Sequence, residues 1–315
     1  MTVTVYAPPV TPGCQRLRPI PQESTASYLT RLAHAYRQTL PQLLEALTIA
    51  VDAQGKGLAT LPGSELHPNR AAQVRIAALA RIPHAHLARA LPRWEPVAST
   101  RLARPSSSHA LPHITWQRTA RHRQPPIAAC PACVLHHTRG ATSTARIYTP
   151  GHQRLCTRHH TWAAGDEHSV ILNVAALPEL QHAQRTHQRL LRHQGADLAR
   201  SWAQTITTRW YDHQQHAAPR WRRRATALER ANSDLAPVRG SWALLARPVV
   251  TYPETVALAQ ALHHHRVLAV LNGSTSSRPR THTSFLHHTA TQLGLPRLDP
   301  SDDDPLRAWI HHHTP

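Results

Sequence analysis

The chain has 315 residues, with 41% hydrophobic content but only 5% aromatic residues and 27 prolines, which allows two or three compact units with small, interrupted cores. Its four cysteines lack the even spacing of a disulfide scaffold, no apolar run follows Met1, and nothing approaches 18 consecutive apolar residues, so the expectation is a cytoplasmic protein with no membrane partner. The formal charge of +19, from 36 basic against 17 acidic residues, points to a polyanion partner, most often nucleic acid.

Lys56 is the only lysine. With abundant Ala, Pro, His and Thr this looks like GC-rich coding bias, which explains Arg in place of Lys but not the scarcity of Asp and Glu. Double-stranded DNA is therefore the favoured partner over a merely solvated basic surface.

Residues 1–21 carry five prolines and no periodicity, and read as an extended arm. Residues 22–92 read as a helical domain. Tyr28, Leu29, Leu32, Ala33 and Tyr36 recur at spacings of three and four, one apolar stripe of a helix. Leu40-Pro41 opens a second helix, with Leu43, Leu44, Leu47 and Ile49 on its buried face and proline early, where its missing N–H costs nothing. A second pair follows: Ala71–Ala80 with Val74 and Leu79, then Ile82-Pro83 with Leu87, Ala90 and Leu91. Each pair is a helix-turn-helix candidate, although most helical hairpins never touch DNA. Arg31, Arg37, Arg70 and Arg75 are the basic residues best placed for phosphates.

Residues 93–126 read as a linker, with Pro96, Pro105, Pro112, Pro125 and Pro126 around Ser106-Ser107-Ser108. Residues 127–165 form a distinct segment. Cys130-Pro-Ala-Cys133 and Cys156-Thr-Arg-His159 are two short knuckles separated by residues 134 to 155. Two ligands per turn, facing each other across a loop, suit one tetrahedral structural Zn²⁺. His159 alone says little among 27 histidines; the cysteine placement carries the reading. Ala145–Tyr148 is β-prone, so a small zinc-ribbon-like β module is expected, with the metal supplying much of its folding free energy.

Residues 166–315 read as a C-terminal helical domain, helical from Asp166 onward. Leu177-Pro178 opens a helix that Gly195 stops. Leu198, Trp202, Ile206 and Trp210 form the stripe of the next. Pro219-Arg220-Trp221-Arg222-Arg223-Arg224 opens a third, and this arginine cluster is the strongest candidate phosphate-contacting patch. Tyr252–Leu262, Phe285–Leu295 and Leu306–Ile310 follow. Asp302-Asp303-Asp304 is an acidic helix start rather than a metal triad. The expected fold class is mainly α: an N-terminal helix-turn-helix-like domain, the small β module and a C-terminal helical domain.

No GxGxxG, GxxxxGK[ST], HExxH or GxSxG occurs. The sharpest enzymatic alternative is a metal-dependent nuclease using His159 and His160 with Asp166 or Glu167. Four protein ligands close a zinc site, however, whereas catalytic sites keep one position open, so no enzyme is expected. The other alternative is a protein-interaction scaffold whose charge is coding bias.

Arg18-Pro-Ile-Pro-Gln-Glu-Ser-Thr-Ala-Ser-Tyr-Leu-Thr-Arg-Leu-Ala33 resembles the opening of the TniQ family of transposon target-selection proteins. Cys130-Pro-Ala-Cys133 and Cys156-Thr-Arg-His159 resemble that family's zinc knuckles. The resemblance covers about residues 16–165. It implies a non-catalytic DNA-binding accessory factor that bridges target DNA to a transposase and its AAA-type ATPase, with Cys130, Cys133, Cys156 and His159 holding one structural zinc. The family's further Cys-x-x-Cys is replaced here by Ala163-Ala-Gly-Asp-Glu-His-Ser, so a single zinc is expected. Oligomeric state stays open, a homo-oligomer included.

Overall fold

The computed structural model describes residues 12–51, 64–94, 111–118, 125–150, 153–165, 170–235, 242–272 and 278–313. Serine and threonine caps set the first helices. Helix α1 (Thr25–Ala35) starts where the Ser24 side chain accepts from the Ser27 N–H, and it buries Tyr28, Leu29, Leu32 and Ala33. Helix α2 (Leu40–Ala46) opens on a capping box between Thr39 and Gln42, with Pro41 in its first turn. Both helices lie where the apolar periodicity places them.

Strands β1 (Ala50–Val51) and β2 (Ser64–Pro68) precede the second helical pair. Asn69 caps α3 (Arg70–Ala80), which ends at left-handed Arg81, and Pro83 precedes α4 (His84–Ala90). Strand β3 (His113–Arg118) then lies between the earlier two: parallel to β1, with Ala50 opposite His113, and antiparallel to β2, with Leu66 opposite Trp116. Leu66 and Ile114 are wholly buried and join Tyr28, Leu32, Leu43, Ile76, Leu87 and Trp94 in one core. So residues 113–118, inside a stretch whose composition reads as a linker, form the middle strand of a sheet. The Ile-Thr-Trp alternation suits a half-buried strand, and the surrounding prolines and serines hide it.

Residues 12–21 are also engaged. Ile20 is buried, Leu17 packs on the main core, and the Gly13 N–H donates to the Ala78 carbonyl.

Next come β4 (Ile127–Ala128), α5 (Pro131–Thr138) and β5 (Arg146–Ile147), with β4 and β5 antiparallel. Strands β6 (Leu155–Cys156), β7 (Thr161–Ala164) and β8 (Val170–Asn173) form a sheet in that order. Strand β8 corrects the expectation of continuous helix from Asp166. Its Val-Ile-Leu-Asn is β-branched at the start, and Leu172 is fully buried.

The remaining elements are α6 (Glu179–Leu190), α7 (Ala196–Asp212), α8 (Ala218–Ala231), α9 (Trp242–Val250), α10 (Tyr252–Asn272), α11 (Arg278–Leu293) and α12 (Pro305–His313). Helix α10 packs against α6, α7, α9 and α11. It buries Val256, Leu258, Ala259, Ala261 and Leu262, more than one stripe, as a helix surrounded by neighbours must. Gly195, expected as a stop, has φ +79° at the start of α7, after α6 has already ended at Leu191. Leu198 is 45% exposed and leaves the apolar stripe that Ile206 and Trp210 hold.

The chain divides into two compact units, Met1–Arg154 with Ala163–Ile171, and Leu155–Trp162 with Leu172–Pro315. The fold is mainly helical with a few small sheets. No described helix is long and apolar enough to cross a membrane.

Candidate metal centre

Each knuckle is a turn built by its own local sequence. Cys130 stands at the N-cap of α5, Pro131 follows in the first turn, and Cys133 comes three residues after Cys130. The Val134 N–H donates to the Cys130 carbonyl, which fixes this first turn. Below it, Ala129 N–H donates to the Ala145 carbonyl, and Ile20, Ala129, Val134 and Ala145 form a small apolar cluster with Ile147 against it. Helix α5 was not expected at the first knuckle. Eight residues with three cysteine- or histidine-type positions carry too little apolar periodicity to announce a helix.

The second knuckle is the tip of the β6–β7 hairpin. Cys156 ends β6 opposite Thr161, and residues 157–160 make the turn. His160 adopts φ +51°, which turns the backbone so that its two adjacent histidines diverge. His159 Nδ1 lies 3.6 Å from Cys156 Sγ. His160 points its Nδ1 to the Gln181 amide at 2.8 Å, and its carbonyl accepts from Val174 N–H.

The ligand atoms of Cys130, Cys133, Cys156 and His159 all lie within 4.8 Å of one another, each residue being half-buried. Zinc bond lengths of about 2.3 Å to sulfur and 2.0–2.1 Å to nitrogen give tetrahedral edges of about 3.6 Å between S and N and about 3.8 Å between two S atoms. The Cys156–His159 separation matches such an edge, and an S₃N donor set is what zinc takes. The residues present fit the ion. Cys14 is exposed and belongs to no such group. Asp166 and Glu167, the acidic partners of the nuclease alternative, lie outside the described residues.

The eight arginines singled out from the sequence separate into interior and surface residues. Arg31 is 6% exposed. Its Nε and Nη2 donate to the Glu23 carboxylate at 2.7 and 2.6 Å, and Nη2 also donates to the Arg18 carbonyl. Arg75 is buried and donates to the Leu47 carbonyl. Arg224, also buried, pairs with Glu254 at 2.5 Å and Glu179 at 2.8 Å. These three guanidinium groups hold the fold together and are not presented to a phosphate. Arg220 is half-buried and donates to the Leu293 and Gly294 carbonyls that close α11. Arg37, Arg70, Arg222 and Arg223 are exposed. The apparent Arg220–Arg224 patch is thus split by helical periodicity, with Trp221 and Arg224 inward and Arg222 and Arg223 outward.

Sequence reasoning missed the acids that answer these arginines, and one buried acid with no arginine. Glu65 Oε1 accepts from the Ala26 and Leu66 N–H groups, and Oε2 accepts from the Tyr148 hydroxyl at 2.7 Å. Burial pushes its carboxyl up from the ordinary glutamate range, against the pull of these hydrogen bonds. It also missed that Leu66–Trp94 contains no Asp or Glu but has Arg70, Arg75, Arg81, Arg89 and Arg93. Of these Arg70, Arg81 and Arg89 are exposed on the α3–α4 pair. A tally of acids along the chain would have found this stretch.

The family model described as TniQ matches residues 14–163, a span that contains all four metal-ligand candidates. No curated protein and no solved structure matches the chain.

Proposed function

Because the chain belongs to the TniQ family through residues 14–163, we propose that it is a non-catalytic DNA-binding accessory protein that brings target DNA to a transposition machinery. Its partners on this reading are duplex DNA, a transposase and an AAA-type ATPase. The observation that carries the reading is the family match, with the Cys₃His cluster lying inside the matched span.

Cys130, Cys133, Cys156 and His159 would hold one zinc ion, whose chemistry there is structural: four protein ligands leave no position for a reacting water. His160, engaged by Gln181, stands outside this ligand set. The exposed arginines of the acid-free α3–α4 pair, Arg70, Arg81 and Arg89, are the favoured phosphate contacts in the matched span, with Arg37 beside α2.

The test is duplex binding across salt concentrations. Arg70→Gln/Arg81→Gln/Arg89→Gln should make the fall of log K with log salt shallower by about 2.7, three contacts at roughly 0.9 each. A parent protein whose affinity is flat from low to moderate salt would sink the phosphate-contact reading. Elemental analysis should give one zinc per chain, lost in Cys133→Ser; a variant that holds metal like the parent means another ligand set. Cleavage of DNA by the purified protein with Mg²⁺ or Mn²⁺ would return the nuclease alternative.

A further inference from the structure

We propose that the outer face of α6 is a further duplex-DNA contact, an arginine ridge that follows the phosphate backbone of one strand. It rests on the DNA-binding reading above and lies outside the matched residues 14–163. Helix α6 buries Leu180, Ala183, Gln184, His187 and Leu190. That spacing of three and four leaves His182, Arg185, Gln188 and Arg189 exposed, and Arg192 stands exposed in the turn just beyond Leu191.

Arg185, Arg189 and Arg192 are separated by four and three residues, so they share one face. At 1.5 Å rise per residue the ridge is about 10 Å long. One strand of a duplex presents a phosphate per roughly 3.4 Å of axis, so three arginines span about three phosphates.

Three observations favour a polyanion over a wet surface. From Leu180 to Ala196 there is no Asp or Glu. None of the three arginine side chains has a hydrogen-bond or ion-pair partner among the described residues, whereas Arg224, Arg247, Arg297 and Arg307 of the same unit are each paired with a carboxylate. Attraction to the negative end of the helix dipole accounts for Arg189 and Arg192 but not for Arg185, which sits mid-helix. The face carries no Trp, Tyr or Phe for base stacking, so it suits a duplex backbone rather than a single strand.

The experiment uses the full chain and a short duplex at about 50 to 200 mM salt. Arg185→Gln/Arg189→Gln/Arg192→Gln is compared with Arg200→Gln/Arg209→Gln/Arg230→Gln, which removes the same charge elsewhere in the unit. The ridge triple should make the log–log slope shallower by about 2.7, so that its loss of affinity over that fourfold range is about 40-fold smaller than the parent's. The control triple should change the slope little, and Arg185→Lys/Arg189→Lys/Arg192→Lys should keep the parent's slope. Equal effects of the ridge and control triples would overturn the proposal, since net charge alone would then be acting. So would an unchanged ridge triple in a parent that binds steeply, which leaves the α3–α4 reading standing. A parent with no duplex binding overturns both. Anionic phospholipid vesicles or an acidic polypeptide as the ligand that the ridge triple alone loses would assign the face to another partner.

Discussion

Arg31 and Glu23 are eight residues apart, a spacing with no neighbour relation on a helix, and in the sequence Arg31 looks like one more surface cation. In the fold the two side chains are 5% and 0% exposed and joined by two hydrogen bonds. Removing one partner of such a pair leaves a buried charge and costs about 3–5 kcal/mol. Arg31→Ala should therefore lower the denaturant midpoint sharply, and Glu23→Gln/Arg31→Met should recover much of the loss. An Arg31→Ala protein of unchanged stability that binds DNA less well would return Arg31 to the surface contacts. Glu65 makes the opposite case. Its pKa is raised by burial, so the stability it contributes is fully present below the unfolded glutamate pKa of about 4.3 and is lost as pH rises through the higher folded value. Glu65→Gln keeps an oxygen for the Ala26 and Leu66 N–H groups, and its amide can donate to Tyr148. Relative to this variant the parent should lose stability as pH rises from about 4; urea midpoints at several pH values check it, and parallel curves would mean the carboxyl is not perturbed. Cysteine spacing made the Cys₃His cluster legible at this scale because each knuckle is local. The long-range answers to the arginines were not, since nothing local encodes them.

Helices that bury one stripe were the legible elements. Tyr28, Leu29 and Leu32 of α1, and Leu43 and Leu44 of α2, are buried as their periodicity requires. Helix α9 escaped notice because Pro248 lies inside it and reads as a breaker. Strand β3 escaped because its neighbours are prolines. The acidic run before α12 marks a helix start, and Asp304 accepts from the Leu306 N–H. It also accepts from Trp210 Nε1 of α7 and His216 Nε2 at 2.8 Å, so one carboxylate ties α7, the turn before α8 and α12. Burial would raise the Asp304 pKa, but the bonds from His216, Leu306 and Trp210 outweigh it and hold the carboxyl below its ordinary range. Its stabilisation is therefore present above the unfolded aspartate pKa of about 3.9 and is lost as pH falls through the lower folded value. Asp304→Ala should cost about 2–3 kcal/mol near neutral pH, and the deficit should shrink in acid. Thermal or urea midpoints for parent and variant measure it; a deficit constant down to acid pH would mean the charge is irrelevant.

Among the described residues of the first unit, two apolar clusters differ greatly in size. The main cluster has eighteen buried residues, from Ala26 to Ile114. The cluster beneath the first knuckle has four: Ile20, Ala129, Val134 and Ala145. Two of the four are alanines, so hydrophobic burial there cannot offset the backbone ordering of α5, β4 and β5, at roughly 1–2 kcal/mol per residue. A structural zinc contributes on the order of 10–16 kcal/mol, which is why the smaller cluster is expected to depend on metal and the larger one is not. Hydrogen bonds do join the two regions, because Ser24 N–H donates to the Arg146 carbonyl and Arg146 N–H to the Ser27 hydroxyl. Chelation should thus remove amide-exchange protection from residues 127–147 first. Protection in α1 should weaken at its N-terminal turn, while α3 and the rest of the main cluster stay protected. Exchange measured on the full chain with and without chelator reads this directly. Uniform loss across both clusters would mean they unfold as one cooperative body, and unchanged protection in 127–147 would mean the knuckle stands without its ion.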